Sequence, residues 1–577
     1  MSVGLVLVLL SGLFAYSVAM RQPWFGKAPK SPETLLTSDA VLFARNWYRE
    51  GPWKLWFGLF RDPDSIEFPT VASRTVYTSY PPGGVLPIYA LGKILHREPS
   101  LSMVMTYNLA NHYATTLLIS LLLLYFLRKT GCTRTDGFML AAIPIFAMLF
   151  LPSPAYQFQM SHFHDMSVLS LFVLYVLLEC IRDHETDPVR RRWLSCAQGG
   201  IAFVGILSDW LFACVAVCLY VKRLATGEIL CAKGTSPGKA LAAFFVNSFK
   251  FWCSFGLGLG LFALQLHHFG RFAALFAKFK ERSGMGSGHF FSPFQGGLFW
   301  HVHMTRGYGT TGKVLVGLSL GGLAILLAYA CVRRVLGRPA NAKMNRGVAL
   351  IFLLLAPCLL EIALLGQHSS HVFHFFASTK FAVPIAAVPF VLLPVTLLAG
   401  LNIELTALSW AKIKARCIGP AGKKVRPAWS LVSPLLVLLA VCYVYGEFPR
   451  VREQFRPPPK RDPVRFGEFI AANTAYEDVL FALTSDLTTK TSVAGLAYAM
   501  KRVHFGYSMK PIYNKLEDVE GGYVVNYLVN HGGLPRAPKD VLRLLGSAYW
   551  CTSFEGVLLY KIRKDDFLRL CRELDMG

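Results

Sequence analysis

The stretch SDAVLFARNWYREG (38–51) lies between an apolar run at residues 1–20 and a second apolar run at 102–127. It mixes Trp, Tyr and Phe with Arg, a composition typical of helices that lie on a membrane surface. Each flanking run has about the length, roughly 20 residues, that crosses the hydrocarbon core of a bilayer. Together these features predict a membrane protein whose first loop follows the membrane surface.

The composition of the whole chain agrees with this interpretation. The 577 residues are 54% hydrophobic and only 16% charged, with a mean hydropathy of +0.42. Soluble domains carry roughly 25% charged residues, so the composition excludes a disordered chain and argues against a wholly soluble one. The net charge of +25 would indicate nucleic acid in a soluble protein. In a membrane protein it is explained by basic cytoplasmic loops, and we expect no nucleic-acid partner.

The distribution of basic residues predicts a topology. Further apolar runs lie at 137–152, 166–181, 196–221, 240–266, 314–332, 347–365, 381–400 and 429–446. Loops rich in Lys and Arg are expected in the cytoplasm, whereas 153–165 and 366–379 contain neither residue and are expected outside. Basic loops flank 196–221 on both sides, so we predict two short helices there, with Asp209 between them at the outer surface.

These observations predict an α-helical polytopic membrane protein with about 11 membrane segments. We expect a transmembrane domain at 1–446 that includes a first outer loop at 21–101, then a Pro-rich linker at 447–463 and an extracytoplasmic α/β domain at 464–577. Within the last domain, strands are predicted at 478–483, 523–529 and 557–562, and helices at 464–472 and 565–574. The cysteines expected outside, Cys551 and Cys571, form either one disulfide or two free thiols.

Candidate chemistry collects in the predicted outer loops. Thr37-Ser38-Asp39 precedes the first amphipathic stretch, where Ser38 suits a helix N-cap and Asp39 suits a base that takes a proton from an acceptor hydroxyl. The four loops 21–101, 153–165, 267–313 and 366–380 contain eleven of the 15 histidines, which are His96, His162, His164, His267, His268, His289, His301, His303, His368, His371 and His374.

An anionic group bound at this surface, such as a lipid phosphate, needs cations or hydrogen-bond donors around it. Lys380, Arg306, His371 and His374 are the candidates in the predicted outer loops. Lys380 begins a helix that enters the membrane, where it either binds a lipid phosphate or is an ordinary lysine extending to the interface. A cluster of histidines with Asp39 and Asp165 could also bind a divalent metal, but the spacing matches no zinc signature. We therefore predict no required cofactor, and hydrogen bonds to phosphate or sugar in preference to a metal.

Several stretches carry a resemblance to a known family. They are SDAVLFARNWYREG (38–51), YPPGGVLPIYALGKI (80–94), LLLLYFLRKTG (121–131), MSHFHDMSVLSLFVLY (160–175), GILSDWLFACVAVCLY (205–220) and QHSSHVFHFFASTKFAVPIAAVPF (367–390). In this order they resemble the GT-C superfamily of membrane glycosyltransferases, within it protein O-mannosyltransferases and lipid A aminoarabinose transferases. The resemblance extends to about residue 446.

The resemblance implies a transferase that takes a sugar from a polyprenyl-phosphate or dolichyl-phosphate carrier on the extracytoplasmic or lumenal face, usually with inversion. The acceptor would be a glycan, a lipid or a protein. Asp39 matches the family's catalytic acid and Asp165 a second acid at the start of the fourth helix. Tyr80, His164 and His368 are expected to bind substrate. Ala40 and Ser79 differ from the family pattern, which usually has acidic and charged residues there.

Three other functions remain open at this stage. A transporter or flippase for lipid-linked sugars would place ionisable residues at mid-membrane and usually shows internal symmetry. A non-catalytic membrane subunit would tolerate replacement of Asp39. A ligase that uses a diphosphate-linked oligosaccharide would need a different donor headgroup. The acids and histidines collect near one predicted surface and no repeat is evident, which favours the transferase.

Overall fold

The computed structural model describes most of the chain before residue 457 and part of the remainder. The described residues are 2–27, 33–61, 70–160, 162, 164–230, 236–285, 297–336, 341–371, 374–400, 429–456, 463–475, 478–482, 503–505, 524–530 and 539–573.

Helices make up almost all of the described part before residue 457. In chain order they are α1 (Ser2–Arg21), α2 (Glu33–Glu50), α3 (Leu86–Ile94), α4 (Leu101–Thr130), α5 (Arg134–Phe150), α6 (Pro152–Met160), α7 (His164–Arg182), α8 (Pro188–Ile206), α9 (Leu211–Ala225), α10 (Pro237–His268), α11 (Phe272–Ser283), α12 (Met304–Val335), α13 (Ala342–Leu364), α14 (Gly366–Ser369), α15 (Ala382–Ala387), α16 (Leu393–Gly400) and α17 (Trp429–Gln454).

Seven helical stretches of the described part are long and apolar enough to cross a membrane. They are Val3–Trp24, Leu101–Thr130, Pro237–His268, Phe299–Val335, Ala342–Leu364, Phe375–Gly400 and Val432–Gln454. The pair α5 and α6, bent by 59°, adds an eighth if it is counted as one span. The chain is therefore an integral membrane protein in its architecture, while the count of 11 segments stays a prediction.

The structure refines two sequence-based expectations about loops. The run 196–221 forms two helices, α8 and α9, as predicted, and Asp209 between them is fully buried in the protein. Lys380 is its ionic partner, and Lys380 also pairs with Glu361. The segment 153–165 is largely helical, because α6 covers Pro152–Met160 and all of its residues are buried. The outer location of Asp209 and of this segment stays a prediction.

The first outer loop packs firmly on the helix bundle. Trp24, Trp47 and Phe60 are fully buried and join a hydrophobic cluster that also contains Val451 and Phe455 of the α17 region. Buried aromatic side chains of this size contribute the largest share of apolar burial in such a cluster. The described part of the segment 21–101 is thus fixed against the helices and can hold side chains in defined positions.

Residues after 463 form a mixed α/β unit in the described part. Strands β1 (Val479–Ala482), β2 (Val503–Phe505), β3 (Val524–Asn530), β4 (Trp550–Phe554) and β5 (Val557–Arg563) form one sheet in the order β2-β1-β3-β5-β4. β1 is parallel to β2 and β3, and β5 is antiparallel to β3 and β4. Helices α18 (Pro463–Asn473), α19 (Lys539–Gly546) and α20 (Lys564–Glu573) accompany it.

Three of these strands and two of these helices lie within about one residue of the predicted ranges. Cys551 is exposed, Cys571 is buried, and both are free, so the alternative of two free thiols holds in this structure. The boundaries at 446 and 463 and the location of this unit outside the membrane stay predictions.

Candidate active site

Asp39 is positioned by the first turns of α2. This helix begins at Glu33, so Thr37-Ser38-Asp39 lies inside it and the N-cap prediction for Ser38 is wrong. Thr37 instead donates a hydrogen bond from its hydroxyl to the Met160 carbonyl (3.1 Å) and accepts one from the His162 N–H (3.2 Å). These bonds fix Asp39 beside the connection between α6 and α7.

The Asp39 carboxylate forms an ion pair that the sequence did not reveal. Arg61 Nη2 lies 2.7 Å from Asp39 Oδ2, and the Asp39 side chain is 23% exposed. Burial raises the pKa of the Asp39 carboxyl above its ordinary value, and the positive charge of Arg61 opposes that shift. The result is a carboxylate that is a stronger base than an exposed Asp and still has one face open to solvent.

The segment from Tyr77 to Gly84 is held by the break between α8 and α9. The Gly83 N–H donates to the Leu207 carbonyl at 2.8 Å, and Trp210 Nε1 donates to the Ser79 carbonyl at 2.9 Å. A Cβ atom on residue 83 would lie 2.5 Å from the Leu207 oxygen, so glycine is required for this close approach. The segment therefore has a fixed position, with the Tyr80 side chain buried.

Tyr80 joins two parts of the site. Its hydroxyl lies 3.1 Å from His368 Nε2. On the other side, Arg282 of α11 places its guanidinium carbon 5.1 Å from the centre of the Tyr80 ring and hydrogen-bonds both Tyr77 and Tyr80. Tyr77 in turn has Arg61 over its ring at 5.2 Å. Tyr77 thus lies between the Asp39–Arg61 pair and Arg282.

Arg282 was not among the sequence-based candidates. It occupies the last turn of α11, where several basic residues of an amphipathic helix are indistinguishable by pattern alone. Within the part of the chain that the structure describes, its side-chain hydrogen bonds go to the two tyrosines, which are neutral near pH 7, and no ion pair with a carboxylate is found.

The histidines of the predicted loop 366–379 do come together. His368 lies in the one-turn helix α14, and His371 and His374 follow it outside regular helices. The ring centres of His368 and His374 are 4.1 Å apart, and those of His371 and His374 are 4.7 Å apart. His374 Nδ1 donates to the His368 carbonyl at 2.6 Å, and His303 Nε2 donates to the His371 carbonyl at 2.9 Å. Burial lowers the pKa of His374 to about 4, so this ring is neutral near pH 7.

The remaining predicted phosphate ligands have different surroundings. Arg306 is exposed, with its guanidinium carbon 4.3 Å from the centre of the Phe375 ring. Lys380 is buried, forms an ion pair with Glu361, and has Asp209 Oδ1 at 3.7 Å. The alternative of an exposed lysine extending to the interface is therefore wrong, because two carboxylates hold Lys380 inside the bundle. Arg282 is better placed than Lys380 to meet a phosphate.

The second predicted acid is only partly described. His164 and Asp165 are the first residues of α7, and their side chains lie outside the described part of the structure. The preceding His162 is buried, with Nδ1 2.9 Å from Asn108 Oδ1 and Nε2 3.2 Å from the Gly84 carbonyl. Its contacts are those of a structural residue that supports the Tyr77–Gly84 segment.

A metal-binding arrangement is found elsewhere. Of the residues described, only Glu179, Asp183 and Glu228 bring three candidate ligand atoms together. The Lys222 ammonium already lies 2.6–3.2 Å from carboxylate oxygens of all three, and it occupies the position of a cation. The described side chains around Asp39 and Tyr80 do not form such a group.

Two apolar cavities include residues of the Tyr77–Gly84 segment in their walls. The arginine groove, about 270 Å³, is lined by Ser79, Trp210, Ala213, Cys214, Leu275, Phe276, Lys278, Phe279, Arg282, Glu361, Leu364 and Leu365. The tryptophan groove, about 660 Å³, is lined by Trp47, Trp53, Trp56, Phe57, Pro82, Gly83, Leu86, Leu207, Leu261, Phe262, Leu264 and Gln265.

The architecture is similar to that of two solved membrane enzymes. The chain matches ArnT from Cupriavidus metallidurans bound to undecaprenyl phosphate with a TM-score of 0.52 and 12% identity, over 97% of this chain and 98% of ArnT. It matches the archaeal oligosaccharyltransferase AglB from Archaeoglobus fulgidus, in complex with an inhibitory peptide and a dolichol-phosphate, with a TM-score of 0.50 and 14% identity. That match covers 96% of this chain and 74% of AglB.

The chain has the GT-C fold. Both neighbours are GT-C superfamily enzymes, and the resemblance noted in the sequence is thereby confirmed as a likeness of fold. No protein-family model and no curated protein sequence matches the chain. At identities of 12% and 14% the likeness shows the fold alone, so the activity must be argued from the site.

Proposed function

We propose that the protein is a glycosyltransferase that moves a sugar from a polyprenyl-phosphate donor to an acceptor hydroxyl at the extracytoplasmic membrane face. The observation that carries the proposal is the position of Arg282. It lines an apolar groove and hydrogen-bonds Tyr77 and Tyr80, and Tyr77 also lies beside Arg61, the partner of Asp39. The apolar lining suits the part of a lipid tail next to its phosphate, and the arginine suits the phosphate.

The reaction follows from this placement. The acceptor oxygen attacks the anomeric carbon from the face opposite the phosphate, and the bond between that carbon and the phosphate oxygen breaks. The electron pair of the broken bond stays on the phosphate, whose charge Arg282 stabilises. The proton of the acceptor hydroxyl goes to Asp39. Attack from the opposite face inverts the anomeric centre.

Asp39 suits the role of general base for two reasons. Partial burial makes the carboxylate more basic than an exposed Asp, and the ion pair with Arg61 keeps it ionised and oriented. One positioned base contributes roughly 10²–10⁴-fold to such a reaction. Asp165 at the start of α7 is a second candidate acid, and Tyr80 and His368 are candidates for contacts with the sugar or the phosphate. No metal is required by these steps.

The structural neighbours also support a polyprenyl-phosphate donor for this chain. ArnT was solved with undecaprenyl phosphate and AglB with a dolichol-phosphate, both polyprenyl phosphates. We infer that this chain uses a donor of the same chemical class, and we leave the sugar unspecified.

The test is sugar release and transfer by the purified protein in lipid nanodiscs. Radiolabelled polyprenyl-phosphate arabinose, mannose and glucose would each be incubated with the protein and a membrane extract. We expect turnover of one donor, reduced at least about 100-fold in Asp39→Asn. Glu98→Gln is the matched control, because Glu98 is an acid of the same predicted loop whose described ion pairs are with Arg45 and Arg49 and not with Arg61. Full activity of Asp39→Asn would exclude Asp39 as the base, and no turnover of any donor by folded protein would contradict the proposal.

A further inference from the structure

Two imidazole rings of the site lie side by side and close to Arg282. The ring centres of His368 and His374 are 4.1 Å apart, and these two residues form the histidine pair. The described groups that can titrate or carry charge and act most strongly on the pair are Tyr80, Arg282, His303, His371 and Lys380. Arg282 acts on both rings, so the pair lies in the field of a cation.

The histidine pair is joined to the proposed phosphate site through Tyr80. The Tyr80 hydroxyl lies 3.1 Å from His368 Nε2. Arg282 hydrogen-bonds Tyr80 and has its guanidinium carbon 5.1 Å from the centre of the Tyr80 ring. A phosphate bound to Arg282 would therefore be connected to the pair by a single hydroxyl group.

Both rings of the pair are neutral near pH 7 while no anion is bound. Burial is the largest cause and lowers the pKa of each ring, and the positive charge of Arg282 lowers it further. The pKa of His374 falls to about 4. His374 Nδ1 donates to the His368 carbonyl at 2.6 Å, so the lone pair is on Nε2, and that nitrogen can receive a proton.

The proposed transfer changes the charge next to the pair. A sugar joined to a polyprenyl phosphate is a phosphodiester with a single negative charge. Once the bond to the anomeric carbon breaks, the phosphate is a monoester, whose second pKa is about 6, and it is mostly a dianion at about pH 7.5. Arg282 balances the charge of the donor but not that of the product. Lys380 does not supply the missing charge, because it pairs with Glu361 and has Asp209 Oδ1 at 3.7 Å.

We propose that the histidine pair takes up one proton when the bound phosphate changes from a diester to a monoester. This inference rests on the proposed function, since it needs the phosphate at Arg282. Atoms and charges balance: the acceptor hydroxyl gives its proton to Asp39, the phosphate keeps the electron pair of the broken bond, and a proton from solvent binds to an imidazole nitrogen of the pair.

The product itself makes this protonation favourable. An opposite charge within about 4–6 Å favours the charged form of a histidine, and the dianion brings a second negative charge to the site. The resulting imidazolium is a second cation beside the leaving phosphate, in addition to Arg282. It also stabilises the charge that develops on the phosphate oxygen during the transfer. A purely structural pair would stay neutral with either form of the phosphate.

The test measures proton uptake on binding by isothermal titration calorimetry of the full-length protein in detergent. The ligands are farnesyl phosphate, a short polyprenyl monoester, and its methyl phosphodiester, which keeps a single negative charge. Each titration is repeated at about pH 7.5 in buffers of different ionisation heat, because the dependence of the observed heat on the buffer gives the protons bound. We expect about 0.5–1 proton for the monoester and none for the methyl ester.

A matched set of variants assigns the proton to the pair. In the double variant His368→Gln/His374→Asn, glutamine keeps an amide near the position of His368 Nε2, and asparagine keeps a donor near that of His374 Nδ1. His267→Gln is the control, because His267 is exposed at the end of α10. We expect proton uptake to be lost only in the double variant, with Tm measured on the same samples to show that each protein is folded.

The affinity for farnesyl phosphate gives a second readout. Uptake of about 0.5–1 proton weakens binding by about 3- to 10-fold for each unit by which pH rises, so the wild type should follow this slope between about pH 7 and 8.5. The double variant and the complex with the methyl ester should show affinities that do not change with pH in this range.

Three results would overturn the inference and leave the proposed function intact. They are binding of the monoester without proton uptake, equal uptake with the monoester and the methyl ester, and uptake that persists in the folded double variant. The comparison of the two ligands needs only the wild type, so it decides the question even if the double variant does not fold. Failure of the folded wild type to bind farnesyl phosphate would instead contradict the proposed phosphate site, and the inference with it.

Discussion

Replacement of Arg282 by Gln separates the phosphate-binding role of this residue from a structural role. Arg282 contacts Tyr77 and Tyr80 and has no carboxylate partner among the described residues, so its removal leaves no buried acid without a counter-ion. Hydrogen bonds to a charged group contribute about 1.5–3 kcal/mol. Loss of one such contribution weakens binding by about 10- to 150-fold.

The assay is equilibrium binding of undecaprenyl phosphate to the purified protein in nanodiscs, with thermal unfolding measured on the same samples. Lys280→Gln is the control, because Lys280 is an exposed basic residue in the same turn of α11 that does not line the arginine groove. We expect weaker binding only in Arg282→Gln, at an unchanged Tm. Equal affinities of both variants and the wild type would refute the assignment of Arg282 to the phosphate.

Two other predictions concern groups whose surroundings the structure defines. Lys380→Met leaves the Glu361 and Asp209 carboxylates buried without the Lys380 ammonium, so we expect the free energy of unfolding to fall by about 3–5 kcal/mol. The measurement is a lower Tm, which a further Glu361→Gln change should partly restore. An unchanged Tm of Lys380→Met would contradict this prediction. Asp39 must be deprotonated to act as a base, so transfer falls as pH decreases through its pKa. Arg61 lowers that pKa, and Arg61→Gln should therefore move the acid limb of the kcat profile to higher pH. A limb at the same or a lower pH would show that another group limits the rate.

The positions of the long helices could be predicted because they depend on local properties. The run 102–127 became α4 (Leu101–Thr130) and the run 347–365 became α13 (Ala342–Leu364), since an apolar stretch of this length has few other stable states in a membrane. Asp39 could be singled out for a similar reason. It is an acid at the start of an amphipathic stretch, and the structure places it in an ion pair with Arg61, with 23% of its side chain exposed; its role as a base stays a proposal.

The pairing of distant charges could not be predicted. Asp209 and Lys380 are 171 positions apart, and the sequence gives no sign that the break between α8 and α9 meets the segment just before α15. Taken alone, each charge suggested a position at the membrane surface, because an isolated charge inside a bilayer is costly. Because Asp209 and Lys380 form an ion pair, neither charge is isolated and this cost does not apply to them in full. The same limit applies to Arg282, whose role depends on the folding of α11 against Tyr77 and Tyr80.

The most direct test of the account is an experimental structure of the protein with undecaprenyl phosphate. The account predicts phosphate oxygens within about 3 Å of the Arg282 guanidinium, the isoprene units next to the phosphate in the arginine groove, and the Asp39 carboxylate facing the space beyond the phosphate. A phosphate bound at Arg306 and His371, away from Arg282, would contradict it.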